Sequence, residues 1–237
     1  MLTSTKGKRK MKMLISDVYF KNKYGRGEYV LLPWAEKMLE DLKGGGHRHY
    51  YVGGGRSAAV TTQTILVTLA ATVGVEKDVM VLILSQNPDK VFGSLCVAAS
   101  ALLDGGAENG GIAKDAALCK VDLRERELEY GDNVTVVVRR GRVARVRRTK
   151  MKVGRKPKRL VVMFDGVHEF SMQYFAEIRD LIERNYAATF LFTYNAPSFA
   201  VGKGIHEMAE RDGAYVTEGH TSDEVPRHWI GGASPRP

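Results

Sequence analysis

The chain has 237 residues, of which 44% are hydrophobic and 27% are charged. This length suits one α/β domain with a sizeable core, and the composition excludes both a disordered chain and a membrane protein. The net charge is +9, but residues 139–159 hold twelve basic residues and no acidic one. The remaining 24 basic and 27 acidic residues leave the rest of the chain at −3. The positive charge is therefore local, which favours a contact surface for a polyanion.

The two ends of the chain are predicted to lie outside the folded domain. Residues 1–12 form a basic arm without the apolar stretch of a secretory signal, and residues 226–237 form a tail. No apolar run approaches the roughly 18 residues of a membrane span, which predicts a cytoplasmic protein with no membrane partner. Cys96 and Cys119 lie in apolar surroundings and are predicted to be reduced core thiols.

The first elements are a helix, a short strand and a longer buried helix. Residues 33–42 begin with proline and carry an apolar stripe, which predicts an amphipathic helix ended by glycines. A strand candidate at 49–52 and a glycine turn at 53–55 precede residues 61–73. That stretch is apolar nearly all round and predicts a buried helix, although its β-branched residues also suit a strand. The continuous apolar run at 79–84 predicts a parallel strand covered on both faces.

The middle of the chain predicts helices and a basic hairpin. Helices are predicted at 91–103 and 112–120, and a glycine-rich loop at 104–111 connects them. Residues 134–138 and 143–148 flank Arg140 and Gly141, which predicts a β-hairpin whose turn and second strand carry arginines. Residues 139–159 are accordingly predicted to be a basic hairpin or loop inserted in the domain.

The last third alternates strands with helices. The apolar run at 160–164 ends in Asp165, and the run at 188–192 ends in Thr193-Tyr194-Asn195. Ser171 caps a predicted helix between these strands, and a helix at 205–211 and a strand at 214–217 follow. Strands that alternate with helices predict an α/β fold with a mostly parallel sheet flanked by helices.

The order of these motifs resembles the RecA/RadA-like recombinase superfamily. Residues 39–46 look like the segment before the phosphate loop of archaeal RadA and eukaryotic Rad-type recombinases, and residues 55–63 fall where that loop belongs. Residues 160–165 resemble the Walker B strand, and residues 183–195 resemble the helix and strand that end in a phosphate-sensing polar residue. The likeness covers roughly residues 35–95 and 158–218, and it implies a RecA-like P-loop NTPase core within residues 13–225.

The resemblance also implies a nucleotide site for ATP and Mg²⁺. Asp165 would hold a magnesium water and Asn195 would sense phosphate, whereas a turn-capping carboxylate and a buried amide are their alternative interpretations. The nucleotide-binding residues implied are Gly55, Arg56, Thr61, Thr62, Asp165 and Asn195.

Two departures from the family pattern predict a degenerate ATPase. The phosphate-loop pattern G-x-x-x-x-G-K-[ST] keeps Gly55 and Thr62, but Val60 and Thr61 stand where the second glycine and the lysine belong. The family also places a glutamate after its second core strand, where this chain has Ser85-Gln86-Asn87, and an amide cannot act as a base. Arg56 is a candidate replacement cation, and no catalytic residue is assigned.

The arginine and lysine run is predicted to bind nucleic acid, because the planar guanidinium suits phosphate better than an ammonium does. Its alternative interpretation is a solvated charged face. The predicted contact residues are Arg139, Arg140, Arg142, Arg145, Arg147, Arg148, Lys150, Lys152, Arg155, Lys156, Lys158 and Arg159. No metal site is predicted, because His168, Glu169 and His206 lack further ligands at a metal-binding spacing.

These features together predict an ATPase-deficient RecA/RadA-like paralogue that binds DNA, in preference to RNA, and assists homologous recombination or DNA repair. An active recombinase or further copies of the chain are its expected protein partners. The alternatives are an active ATPase with an unorthodox phosphate loop, serving as a motor or in signalling, and a structural chromatin or RNA-binding protein.

Overall fold

One eight-stranded sheet organises the chain. The computed structural model describes residues 31–55, 58–104, 118–141, 157–184, 186–195 and 199–225. The strands are β1 (His49–Gly54), β2 (Val79–Ser85), β3 (Leu118–Asp122), β4 (Glu127–Tyr130), β5 (Val134–Arg140), β6 (Arg159–Asp165), β7 (Ala188–Asn195) and β8 (Tyr215–His220). They lie in the order β3-β4-β5-β2-β6-β7-β1-β8. The six strands from β5 to β8 in this order are mutually parallel, and β3 and β4 are antiparallel additions at one side.

Helices cover both faces of the sheet. They are α1 (Pro33–Gly44), α2 (Val60–Thr72), α3 (Pro88–Asp104), α4 (Met172–Glu183) and α5 (Phe199–Arg211). The first three pack on the face that carries Val81 and Val136, and the last two pack on the opposite face, which carries Leu82 and Phe164. Because β2, β6 and β7 are covered on both sides, their sequences are apolar without alternation. The predicted α/β fold with a mostly parallel sheet is confirmed.

Helix α2 is buried along nearly its whole length although threonine is frequent in it. The hydroxyl of Thr68 donates to the Thr64 carbonyl at 2.8 Å, and that of Thr72 donates to the Thr68 carbonyl at 2.8 Å. These bonds satisfy the hydroxyl groups of Thr68 and Thr72 within the helix itself. The stretch that also suited a strand is therefore a helix.

The region between α3 and β6 departs from the prediction. Residues 118–120 belong to β3 rather than to a helix, and Lys120 forms an ion pair with Glu129 across to β4, with N and O 3.0 Å apart. The antiparallel partner of β5 is β4, while β2 lies on its other side. Since both sides of β5 are paired as far as Val137, no further strand can form the predicted hairpin there. Residues 143–148 and the loop 105–111 lie outside the described residues, as do residues 1–12 and 226–237.

A buried ion-pair cluster fixes β1 to α4 and α5 near the end of the sheet where β1 begins. Arg179 binds Asp212 through two nitrogens at 2.7 and 2.8 Å, and the Tyr51 hydroxyl donates to the same carboxylate at 2.8 Å. Burial raises the pKa of Asp212, but the bonds from Arg179 and Tyr51 outweigh it and hold that pKa below its usual range. Beside them, burial and the neighbouring Arg179 lower the pKa of His49, which stacks on Phe190.

The cysteines differ from each other. Cys96 is buried in α3 as predicted, and burial raises the pKa of its thiol to about 12. Cys119 is exposed on β3, so its prediction as a core thiol is wrong. Within the described ranges, none of the helices has the length and apolar character needed to cross a membrane.

Candidate functional site at the carboxyl edge of the sheet

Side chains from four neighbouring strands converge where the parallel strands end, which we call the carboxyl edge. Arg140 is in register with Ser85, and Ser85 is in register with Asp165. On the next strand, β7, Thr193 directly follows Phe192, which is in register with Phe164, the residue before Asp165. Alternation along a strand puts each of these residues on the same face as the residue two positions before it. Those preceding residues all belong to the core beneath α1, α2 and α3, and they are Val138, Ile83, Met163 and Leu191. The four residues therefore form a row on the face that α2 covers.

Asp165 is the centre of this row. Its carboxylate accepts hydrogen bonds from the hydroxyls of Thr61 at 2.6 Å, Thr193 at 3.0 Å and Ser85 at 3.3 Å. The Thr193 oxygen in turn accepts from the Gly166 backbone N–H at 3.1 Å, and the Ser85 oxygen accepts from a backbone N–H of the loop after β2. Each hydroxyl thus gives its one proton to Asp165.

The structure shifts the phosphate-loop pattern by one residue. Thr61, rather than Thr62, is the hydroxyl on Asp165. Counting back from Thr61, the first glycine is Gly54, the second glycine position is Ala59 and the lysine position is Val60. Ala59 has φ 55°, a left-handed conformation that favours glycine, and a Cβ on Gly54 would lie 2.6 Å from a methyl group of Val60. The predicted placement of Val60 and Thr61 is therefore off by one position, and the lysine is absent in either register.

The N-terminus of α2 lies beside Thr61 and carries backbone N–H donors. The first N–H groups of a helix have no partner within it, and Ala59 supplies no side-chain cap. These donors face the end of the glycine turn, where an anion can accept from them. Arg56, the predicted replacement cation, lies outside the described residues.

The glycine turn is held from two sides. The Gly55 backbone N–H donates to the His220 carbonyl at 2.8 Å, and the His220 ring stacks on Trp34 with centroids 4.5 Å apart. Gly53 is packed so closely that an added Cβ would lie 2.6 Å from the ring of Tyr194. Gly53 and Gly54 are thus required by close contacts, whereas a Cβ on Gly55 would meet only the His220 carbonyl, at 3.8 Å.

Asn195 contacts His168 rather than Asp165. Its backbone N–H donates to His168 Nδ1 at 3.3 Å, and its side-chain amide lies 3.4 Å from His168 Nε2. In the described part of the chain, no group of three His, Cys, Asp or Glu residues could hold a metal ion. Asp165 and its hydroxyl partners are nevertheless oxygen donors of the kind that bind Mg²⁺ together with the phosphates of a nucleotide.

Arg139, the first residue of the basic run, is held internally. It points to the sheet face opposite Arg140, and its guanidinium lies 3.6 Å from a carboxylate oxygen of Glu125 and 4.0 Å from one of Glu127. Glu127 is buried, so it needs cationic partners. The assignment of Arg139 to a nucleic-acid surface is corrected for this reason.

The last two cations of the run also form ion pairs. Lys158 lies 3.6 Å from Asp78, and Arg159 forms an ion pair with Glu76. Both carboxylates belong to the turn before β2, whose first residue is in register with Arg159. Lys158 is exposed nevertheless, and the assignment of these two residues as nucleic-acid contacts stays a prediction.

Arg140 is exposed, and its guanidinium donates one long hydrogen bond, to the Gln86 carbonyl at 3.5 Å. The other predicted contact residues lie outside the described residues. They are Arg142, Arg145, Arg147, Arg148, Lys150, Lys152, Arg155 and Lys156.

Ser85 and Thr193 are site residues that the sequence did not identify as partners of Asp165. Each is a hydroxyl residue at the end of a continuous apolar run, as Asp165 itself is the polar end of one. Since the ends of neighbouring parallel strands meet at one edge, this shared position was a usable signal.

Comparisons with known proteins support the fold alone. No protein-family model matches the chain, and no curated protein matches its sequence significantly. Among solved structures, the large terminase of a thermophilic bacteriophage is similar, with a TM-score of 0.62 and 10% sequence identity. The match covers 83% of this chain and 47% of the terminase chain, so this chain spans about half the length of that protein. This likeness supports the α/β fold with a mostly parallel sheet.

Proposed function

We propose that the protein binds nucleic acid through residues 142–156, which we call the basic segment, and that its P-loop-type core binds a nucleotide without efficient hydrolysis. The observation that carries the first part is charge. The basic segment has eight basic residues and no acidic one, in a chain whose other charges nearly balance. Arg139, Lys158 and Arg159, which form ion pairs, lie outside this segment and are not among the eight.

The described residues on either side of the basic segment lie at opposite edges of the sheet. Arg140 is at the carboxyl edge and Arg159 is at the opposite edge, since β5 and β6 both run parallel to β2. They are separated by about the length of β2, which is about 20 Å at a rise of about 3.3 Å per residue. A DNA duplex carries about twelve charges over 20 Å, at one charge per about 1.7 Å, so eight cations suit a polyanion of that charge density.

Loss of hydrolysis follows from two positions at the carboxyl edge. Val60 occupies the lysine position and cannot neutralise phosphate oxygens. Ser85 ends β2 with its hydroxyl bound to Asp165, and Gln86 follows it, so no carboxylate is present there to orient a water molecule. Asp165 and Thr61 still offer the oxygen ligands for a magnesium-bound nucleotide.

A role beside an active recombinase in DNA recombination or repair is the more specific form of the proposal. It rests on the sequence resemblance to RadA-type recombinases, in the order of the glycine turn, the strand that ends in Asp165 and the strand that ends in Asn195. The same resemblance favours DNA over RNA.

Fluorescence anisotropy with single-stranded DNA, duplex DNA and RNA tests nucleic-acid binding. One variant changes Arg142, Arg145, Arg147 and Arg148 to glutamine. The matched control removes four exposed cations elsewhere, namely Lys77, Arg124, Arg184 and Arg211. We expect the first variant to bind at least about 100-fold more weakly, at about 1 kcal/mol for each of several lost phosphate contacts, and the control to change by less than about threefold. Equal losses in both variants would reject the basic segment as the binding surface.

An active ATPase is the second candidate, because the 2.6 Å bond between Thr61 and Asp165 preserves the magnesium-binding pair of a working site. Steady-state phosphate release distinguishes it from the first proposal. A rate that Asp165→Ala abolishes would establish hydrolysis, whereas analogue binding without release supports a degenerate site. Calorimetry that detects no analogue binding would favour a structural chromatin or RNA-binding protein.

A further inference from the structure

The core lacks the phosphate-loop lysine, so any nucleotide at the carboxyl edge needs another cation. The lysine position is Val60 in the register that Thr61 defines, and a valine side chain carries no charge. Among the described residues of the row formed by β5, β2, β6 and β7, Arg140 carries the positive charge. Arg140 is therefore the candidate for the cation that the nucleotide needs.

The sheet holds Arg140 at a fixed distance from Asp165. Ser85 is in register with both residues, so they lie two strand spacings apart, about 10 Å between Cα atoms at about 4.8 Å per spacing. The Gly141 N–H donates to the Ser85 carbonyl at 3.1 Å, which anchors the end of β5. An extended arginine side chain covers much of this distance, so a phosphate placed between the two residues can contact both the guanidinium and a magnesium ion on Asp165.

The side chain of Arg140 also lies on the face of the sheet where the nucleotide would bind. Strand alternation puts it on the face covered by α2, together with Val138, whereas Arg139 points to the other face and is paired with Glu125. Arg140 is exposed, and its hydrogen bond to the Gln86 carbonyl is long enough, at 3.5 Å, to be exchanged readily for a stronger one. A guanidinium offers two parallel donors to a phosphate.

We propose that Arg140 binds the terminal phosphate of a nucleoside triphosphate held at the carboxyl edge, in place of the missing lysine. This inference rests on the proposed nucleotide site. It separates Arg140 from the basic segment: the exposed arginine that ends β5 serves the nucleotide, and the cations that follow it serve the nucleic acid.

Calorimetry with the magnesium complex of AMP-PNP, a non-hydrolysable ATP analogue, tests the proposal on the full chain. We compare wild type with Arg140→Gln, Arg140→Lys and the control Arg184→Gln, which removes an exposed arginine at the end of α4. We expect Arg140→Gln to bind AMP-PNP about 10- to 100-fold more weakly, since a charge-assisted bond is lost, and Arg140→Lys to recover part of the affinity. The control should bind as wild type does.

Anisotropy with single-stranded DNA on the same four proteins distinguishes a nucleotide-binding role of Arg140 from a DNA-binding role. We expect DNA affinity to change by less than about twofold in each, because one contact among many is affected at most. A loss of DNA affinity without a loss of AMP-PNP affinity would assign Arg140 to the nucleic-acid surface and overturn the proposal. Unchanged AMP-PNP binding by Arg140→Gln would also overturn it. Absence of AMP-PNP binding by wild type would remove the nucleotide site and leave the basic segment to be judged by DNA binding alone.

Discussion

Replacing Asp165 with alanine removes the carboxylate that accepts hydroxyl hydrogen bonds from α2, β2 and β7. A carboxylate at the edge of a sheet often destabilises a protein when its binding partner is absent, because it is partly desolvated. Here the three hydroxyls supply the partners. We therefore expect Asp165→Ala to lower the free energy of unfolding.

The size of this loss in unfolding free energy depends on which hydrogen bonds each hydroxyl keeps after the substitution. Thr193 and Ser85 are buried, and each keeps the backbone N–H that its oxygen accepts but loses the acceptor for its own O–H. Thr61 is exposed enough for water to replace its lost acceptor. Two buried donors are thus left unpaired at about 1–3 kcal/mol each, so the total loss is about 2–6 kcal/mol. For a domain of this size that loss lowers Tm by roughly 4–24 °C.

Thermal melting followed by circular dichroism, with and without Mg²⁺ and AMP-PNP, measures both effects. Wild type should gain stability from the nucleotide, by about 2.7 kcal/mol at a concentration 100 times Kd, and Asp165→Ala should gain none. The control Asp180→Ala removes an exposed carboxylate paired with Arg184 and should change stability by less than about 0.5 kcal/mol. An Asp165→Ala protein as stable as wild type, or more stable, would refute the stabilising role of the hydroxyl contacts.

Three further changes test other parts of the structure. Arg139→Ala should lower the denaturant midpoint, because its buried glutamate partner loses a cation, while anisotropy should show unchanged DNA affinity; the reverse pattern would return Arg139 to the nucleic-acid surface. Thr61→Val should weaken AMP-PNP binding in calorimetry more than Thr62→Val does, and the opposite order would restore the predicted phosphate-loop register. The pKa of His49 is lowered, so below its unfolded value of about 6.5 the unfolded chain takes up a proton that the folded chain does not. Urea unfolding of wild type should therefore show stability falling from pH 7.5 to pH 5.5 more steeply than that of His49→Gln, and equal slopes would contradict the contribution of His49.

The parallel core could be predicted because its signals are local in sequence. Continuous apolar runs marked β2, β6 and β7, and burial on both faces is what such runs require. The polar residues at the ends of these runs also identified Asp165, since the carboxyl ends of parallel strands meet at one edge. What the sequence did not reveal was the register, and the register determines that Ser85 lies between Arg140 and Asp165.

The antiparallel side of the sheet was predicted less well for a physical reason. β3 and β4 are short, and polar residues interrupt their apolar pattern, although most of β4 is buried. Without β4 in place, Arg139 had no visible partner, and its charge was assigned to an outer surface. Total charge can be counted from a sequence, but the pairing of each charge depends on which strands lie side by side.

The phosphate loop shows a similar limit. Ala59 adopts a left-handed conformation that alanine disfavours, so no residue preference predicted the turn that begins α2 at Val60. The side-chain contact between Thr61 and Asp165, over a long separation in sequence, was needed to fix the pattern.

The dependence of DNA affinity on salt tests the role of the basic segment most directly. For wild type and for the variant with glutamine at Arg142, Arg145, Arg147 and Arg148, anisotropy gives the slope of log affinity against log salt concentration. Each phosphate contact contributes about 0.9 to this slope for duplex DNA and about 0.7 for a single strand, so the variant's slope should be shallower by about 3. Equal slopes for the two proteins would show that these arginines release no counterions, and the nucleic acid would then have to bind elsewhere.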